Sequence, residues 1–127
     1  MNDEQLARLT RECLGLMAEW GVELERAASI LGFPKNTRIR QIRRYFEGYA
    51  FPDDPVVIER ARRVIHLGDA LRTTYPTNRR MPAYWMRQPN KRFSGRTPLE
   101  RLGDGDDNAL VAVISVLDCA YAWDLNR

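Results

Sequence analysis

Apolar side chains recur along this chain at intervals of three and four residues and do not alternate with polar ones over any useful length. Such intervals place side chains on one face of an α-helix, whereas a half-buried strand would alternate at every second residue. The pattern therefore predicts an all-α fold. The first helix is expected over residues 3–20, and its apolar stripe consists of Leu6, Leu9, Cys13, Leu16, Met17 and Trp20.

Two further helices follow, with a turn between them. Residues 22–31 and residues 35–47 have helical periodicity, and the connecting segment GFPKNT begins with Gly32, which permits a tight turn. Ala27 and Ala28 are small enough to let two helices approach closely. A short helix, a glycine turn and a second helix predict a helix-turn-helix motif.

The outer face of the third helix is basic, because residues 35–44 contain five basic residues and no acid. Lys and Arg neutralise phosphates, and Arg, Asn and Gln can form paired hydrogen bonds with guanine or adenine in the major groove. A solvated, charged helix face is the alternative interpretation. The predicted DNA-binding residues are Lys35, Asn36, Thr37, Arg38, Arg40, Gln41, Arg43 and Arg44.

A longer fourth helix is predicted after Asp54, a natural N-cap, with Pro55 at the first helical position. Its apolar stripe consists of Val57, Ala61, Val64, Ile65, Gly68 and Leu71. The helical pattern lapses in the segment TTYPTNRR, and such a cluster of proline and polar residues is typical of a boundary. We therefore expect two units, residues 1–75 and residues 76–127.

Three helices are predicted in the C-terminal unit. The first covers residues 82–87, and the second begins at RTPLE, where Thr97 is the N-cap, Pro98 takes the first position and Glu100 completes a capping box. The last follows an acidic loop and is capped by Asp107 or Asn108. Its apolar residues, which we expect to be buried or nearly so, are Leu110, Val111, Val113, Ile114, Leu117 and Tyr121.

The sequence offers few of the residues that a membrane span, a disulfide or a metal site requires. No apolar run approaches the roughly 20 residues of a membrane helix and the N-terminal segment is polar, so we expect a cytoplasmic protein. Cys13 and Cys119 lack a metal-ligand spacing and are expected to be small buried residues rather than a disulfide. His66, the single histidine, has no partner for a zinc site. No cofactor is expected.

The segment YWMRQPNKRFSGRTPLERL combines a tryptophan, a Pro-Asn pair and a Gly-x-Thr-Pro-Leu run, and an acidic loop and an aromatic-ended helix follow it. With these features in this order, the segment resembles the C-terminal toxin-binding domain of the Xre/MbcA/ParS antitoxin family. The preceding helices look like the Xre-type helix-turn-helix of the same family. The residues that carry the resemblance are Trp85, Pro89, Asn90, Gly95, Thr97, Pro98 and Leu99.

The resemblance implies a type II antitoxin that neutralises a RES-domain toxin, a class that consumes NAD or transfers ADP-ribose from it. It also implies that the C-terminal end of the chain blocks the NAD pocket of the toxin, and that the N-terminal unit represses the operon by binding operator DNA. The expected assembly is a homo-oligomer or a toxin–antitoxin hetero-oligomer, away from membranes. The expected toxin-binding residues are Trp85, Asn90, Arg96, Tyr121, Trp123, Asp124, Asn126 and Arg127.

Alternatives remain at two levels. Asn90, Arg96 and Thr97 either contact the toxin or fix the loop that carries the docking surface. For the whole chain, the alternative is a stand-alone helix-turn-helix transcriptional regulator with a C-terminal dimerisation lobe. An enzyme is the weakest interpretation, because the sequence has no glycine-rich phosphate cradle and no nucleophile with a plausible base.

Overall fold

A computed structural model describes the backbone of residues 1–125 and the side chains of residues 1–119. This part of the chain forms seven α-helices and one 3₁₀ turn, without a strand, so the predicted all-α fold is confirmed. In chain order the helices are α1 Asp3–Glu19, α2 Leu24–Leu31, α3 Ile39–Phe46, α4 Pro55–Thr74, α5 Met81–Met86, α6 Pro98–Gly103 and α7 Ala109–Leu125, and the 3₁₀ turn Lys91–Phe93 lies between α5 and α6.

Helix α4 is the centre of the fold. It packs against α1 on one side and α7 on the other, and it also contacts α2 and α5. The predicted stripe of α4 is buried, apart from the half-buried Ile65, and it joins one continuous apolar core that includes Trp20 of α1 and Leu117 of α7. Because this core contains residues from both sides of Tyr75, the division into residues 1–75 and 76–127 stays a prediction about folding units.

The contact between α1 and α4 is unusually close at one point. Gly68 of α4 faces Leu16 of α1, and a Cβ atom at Gly68 would lie only 2.6 Å from Leu16 Cδ1. Real Cβ atoms do not approach other heavy atoms so closely, so any larger residue here would displace the Leu16 side chain from its present position. The predicted role of Gly68 in the buried stripe of α4 therefore has a steric explanation.

Helix ends follow the local signals that the sequence carries. The Asp54 carboxylate accepts hydrogen bonds from the Val56 and Val57 amides, and Pro55 occupies the first position of α4. Thr97 and Glu100 form the predicted capping box of α6, with hydrogen bonds of 2.9 and 3.0 Å. Both predicted helix starts are confirmed.

Helix α3 begins later than predicted. It starts at Ile39 instead of residue 35, because the Thr37 amide donates to the Pro34 carbonyl at 2.9 Å and closes a turn. Arg38 then has extended backbone angles, with φ −73° and ψ 141°, and serves as the N-cap. Gly32 ends α2 in the left-handed region at φ 76°, as a tight turn requires. Lys35, Asn36 and Thr37 therefore lie in the turn and not in the helix.

Two predictions of burial are wrong. Val111 is 40% exposed, because the buried face of α7 consists of Leu110, Val113, Ile114 and Leu117, and Val111 points away from it. Cys119 is exposed as well. Cys13, in contrast, is completely buried, and this burial raises the pKa of its thiol to about 12.

Within the part of the chain that the structure describes, no helix combines the length and the apolar character that crossing a bilayer requires.

Candidate functional site

The basic face of α3 and the turn before it is one candidate surface. Lys35, Arg38, Arg40, Arg43 and Arg44 are all exposed, and none of them takes part in an ion pair with another described residue. On α4, by comparison, three arginines each pair with an acidic side chain. This segment therefore concentrates positive charge that the described part of the protein does not neutralise, as a site for a polyanion would.

The polar residues of this surface are placed unevenly. Asn36 is exposed in the turn, whereas Thr37 is half-buried there. Gln41, one turn into α3, donates a hydrogen bond from Nε2 to the Tyr45 hydroxyl at 3.0 Å. The side chain of Gln41 is thus partly committed within the helix. The exposed arginines are the groups most available to a partner.

The start of α3 carries positive charge where the helix dipole disfavours it. The first turn contains no acidic residue, and the N-cap Arg38 makes no side-chain capping hydrogen bond. Free amide groups and the positive end of the dipole at a helix N-terminus attract anions. A phosphate bound beside Arg38 and Arg40 would therefore offset a charge repulsion that the isolated chain retains.

An aromatic cluster packs against the buried side of α3, through Tyr45. The ring of Tyr45 lies 5.4 Å from that of Phe33 in a stacked arrangement and 5.4 Å from that of Phe51 in an edge-to-face arrangement. Phe51 is fixed by its backbone amide, which donates to the Thr10 hydroxyl of α1 at 2.9 Å. The orientation of the basic face thus depends on a buried contact with α1.

The second candidate surface includes the loop between α5 and α6, which Asn90 organises. The Asn90 side chain accepts from the Arg92 amide at 2.9 Å, and its backbone amide donates to the Arg96 carbonyl at 3.0 Å. Its carbonyl accepts from the Gly95 amide. Ser94 and Gly95 turn the chain with positive φ angles of 58° and 84°. Asn90 therefore closes the loop with hydrogen bonds on both sides.

Arg96 and Arg101 tie this loop to the acidic turn after α6. Arg96 donates to both carboxylate oxygens of Asp104, at 2.9 and 2.7 Å, and to the Glu100 carbonyl at 3.0 Å. Arg101 pairs with Asp106 and more weakly with Asp104. The hydrogen bond from Arg101 lowers the pKa of Asp106 to about 2, and the one from Arg96 lowers the pKa of Asp104.

Arg87 fixes the beginning of the same loop to the N-terminal half. Its Nη2 donates to the Gly21 carbonyl at 2.7 Å and its Nε to the Trp20 carbonyl at 3.2 Å. Three of the seven basic residues in the stretch 79–101 are therefore engaged in intramolecular hydrogen bonds. Four basic residues of the stretch remain exposed and without an ion pair to any described side chain, namely Arg79, Arg80, Lys91 and Arg92.

The aromatic residues of α5 face different ways. Trp85 is half-buried and packs against the apolar core, so part of its ring supports the fold. Its neighbour Tyr84 is 56% exposed. Trp85 was selected because it carries the family resemblance, whereas Tyr84 was passed over because a helical pattern of one and a half turns does not define which face is exposed.

Residues 70–119 match the family model of the antitoxin Xre/MbcA/ParS C-terminal toxin-binding domain. The resemblance found in the sequence is confirmed. The match runs from the last turn of α4 to α7 and includes the whole Asn90 loop. It supports a type II antitoxin role with a cognate toxin as partner, and the family is not a known enzyme family. A search among curated proteins finds no match for the chain.

The predicted toxin-binding residues divide into two groups, one inside the matched segment and one beyond it. Trp85, Asn90 and Arg96 are described, and each makes contacts that maintain the loop or the core. Tyr121, Trp123 and Asp124 belong to α7, but their side chains lie outside the described residues. Asn126 and Arg127 lie outside them entirely. The roles of these five tail residues stay predictions.

Proposed function

We propose that this chain is a type II antitoxin that binds and neutralises a RES-domain toxin, which either degrades NAD or transfers ADP-ribose from it. The observation that carries the proposal is the match of residues 70–119 to a toxin-binding domain. The loop geometry supports it, because Asn90, Arg96 and the capping box hold the segment that most resembles the family in one conformation. A rigid loop binds a partner at a lower cost in conformational entropy.

The C-terminal end of the chain is the proposed blocking element. Helix α7 continues past the matched segment, as far as Leu125. The residues that follow Ala120 include two aromatic side chains, an acid, an amide and an arginine, at Tyr121, Trp123, Asp124, Asn126 and Arg127. Aromatic groups fill apolar subsites, and polar groups replace the hydrogen bonds of a nucleotide. We propose that these residues occupy the NAD pocket of the toxin.

Co-expression tests the proposed neutralisation. The gene for a RES-domain protein is expected beside that of this chain, and its product would be induced in a bacterial host with and without the chain while growth and cellular NAD are followed. We expect growth arrest without the chain, rescue with it, and a complex that purifies through a tag on either partner. Toxicity that the chain cannot relieve would contradict the proposal.

A truncation separates binding from blocking. Ending the chain after Tyr121 leaves α1 to α6 and the matched part of α7 intact and shortens only the end of α7, so the protein should remain folded and helical by circular dichroism. We expect this form to lose neutralisation in the growth assay. A truncated chain that still restored growth would exclude the tail from the NAD pocket.

Repression through DNA binding is a second proposed function, favoured by the five unpaired cations of the basic α3 surface. Replacing Arg38 and Arg40 by alanine should weaken operator binding, lower its dependence on salt concentration, and leave toxin binding intact. Operator affinity that is unaffected would place the DNA contacts elsewhere. Operator binding without any toxin binding would favour the alternative, a stand-alone regulator whose C-terminal lobe dimerises.

A further inference from the structure

A groove crosses the junction of α1, α4 and the segment that leads into α5. It consists of two adjoining hollows of about 560 Å³ and about 680 Å³, whose linings share Glu19, Trp20, Arg72 and Pro82. The half-buried Leu16 and Ile65 add apolar surface to the first hollow. The basic α3 surface and the hydrogen bonds of Asn90 lie outside this groove, and of the loop contacts described above only the one from Arg87 to the Trp20 carbonyl involves a residue of its lining.

The α1 wall of the groove contains a glycine that the fold itself does not need. Gly15 is exposed in the middle of α1, and a Cβ atom added there would meet no described atom within 4 Å. Glycine inside a helix costs about 0.5–1 kcal/mol relative to alanine. Gly68 on the opposite wall is explained by its contact with Leu16, but Gly15 has no such neighbour. Position 15 therefore faces open space in the groove, where only a large side chain would fill it.

The charge at the α5 end of the groove points to an acidic partner. Arg79 and Arg80 line the second hollow, are exposed, and pair with no acidic group among the described residues. Arg72 lies beside them but is already paired with Asp69. Glu19 is the one acidic residue in the described lining of this hollow, against three arginines, so the lining is net positive. A positive site beside the half-buried Leu16, Ile65 and Pro82 favours a segment that carries carboxylates next to an apolar side chain.

The position of the groove indicates that this acidic partner is the toxin. Most residues that line the second hollow, from Arg72 to Ala83, belong to the matched toxin-binding domain, while α1 forms the opposite wall. We propose that the groove receives an acidic segment of the toxin, with an apolar side chain of that segment against the half-buried Leu16, Ile65 and Pro82. Helix α1 then takes part in toxin binding although it lies outside the matched domain. This inference rests on the proposed antitoxin function.

Two kinds of variant test the groove. The double variant Arg79→Glu/Arg80→Glu replaces the two unpaired positive charges of the groove by negative ones. The double variant Arg40→Glu/Arg43→Glu makes the same change in net charge on α3 and is the control. Gly15→Trp fills the groove from a position with open space, and Gly15→Ala is its control. Each full-length chain would be titrated with the purified partner from the co-expression experiment, and thermal unfolding would verify that it is folded.

We expect the R79E/R80E and G15W chains to bind the toxin about tenfold more weakly or worse, and the R40E/R43E and G15A chains to bind like the wild type. If the wild type binds the toxin and all four variants bind equally well, the groove proposal is wrong while the antitoxin function stands. If the groove variants bind the toxin normally and change only the oligomeric state of the chain in the absence of toxin, the groove is occupied by a second copy of this chain. If the wild type binds no toxin, both proposals fail together.

Discussion

At the scale of single residues, Thr10 connects α1 to the segment behind α3 through one buried hydroxyl. This hydroxyl donates to the Leu6 carbonyl at 2.7 Å and accepts from the Phe51 amide at 2.9 Å, and the residue is only 2% exposed. Phe51 in turn contacts Tyr45 of α3. Thr10 therefore positions the basic α3 surface without being part of it.

Thr10→Val should lower the free energy of unfolding by about 1–3 kcal/mol, because the buried Phe51 amide loses its acceptor while the shape of the side chain is kept. Urea denaturation followed by tryptophan fluorescence measures this change. Thr10→Ser keeps the hydroxyl and should be clearly more stable than the valine variant. Equal stability of the wild type and Thr10→Val would mean that this hydrogen bond makes no net contribution.

The pairing of Arg101 with Asp106 makes stability depend on pH in the acidic range. The pKa of Asp106 falls from an ordinary 3.8 to about 2 in the folded chain. Because the folded state holds this proton less tightly than the unfolded state, the contribution is complete above about pH 5 and is lost as pH falls towards 2. The lowered pKa values of Asp104 and Glu100 act in the same direction.

We therefore expect Asp106→Asn to be less stable than the wild type at pH 7, and the difference to shrink as pH is lowered from about 5 to about 2. Chemical denaturation at a series of pH values measures both chains. Added salt should reduce the difference at neutral pH, because the pair is exposed to solvent. A difference that stays constant down to pH 2 would contradict the role assigned to Arg101.

At the scale of helices, two glycines on facing walls of the groove should respond to alanine in opposite ways. Gly68→Ala places a Cβ atom 2.6 Å from Leu16 Cδ1, so the Leu16 side chain must leave its present rotamer, and we expect a loss of about 0.5–1.5 kcal/mol in stability. Gly15→Ala meets nothing within 4 Å and should gain about 0.5–1 kcal/mol from helix propensity. Thermal unfolding of the two variants side by side tests this. A stabilised Gly68→Ala chain would show that the helix crossing is looser than described.

The helices also show which features a sequence reveals. Asp54 and Thr97 were predicted as N-caps because their hydrogen-bond partners lie within three residues. The start of α3 was misplaced, because a turn closed at Thr37 and a helix begun at residue 35 satisfy the same apolar pattern. The role of Arg87 could not be predicted, since its acceptors at Trp20 and Gly21 are brought to it only by the packing of the whole chain.

At the scale of the whole molecule, Arg60 of α4 joins the predicted helix-turn-helix region to the segment that matches the toxin-binding domain. Its guanidinium donates to the Gly105 carbonyl at 2.8 Å and the Asp107 carboxylate at 2.7 Å, and more weakly to the Ser29 and Ile30 carbonyls at the end of α2. The side chain is only 13% exposed. One cation thus satisfies polar groups from both proposed binding regions.

Arg60→Met should keep the packing of the aliphatic stem but leave these acceptors without their donor, and we expect a loss of about 2–3 kcal/mol in the free energy of unfolding. Arg63→Met is the matched control: Arg63, also on α4, pairs only with Glu59 one turn earlier and should cost about 0.5 kcal/mol or less. Amide hydrogen exchange would locate the effect. Faster exchange at both the end of α2 and residues 104–109 in the Arg60 variant would demonstrate the link, whereas faster exchange at one of them alone would show that Arg60 stabilises that region without connecting the two.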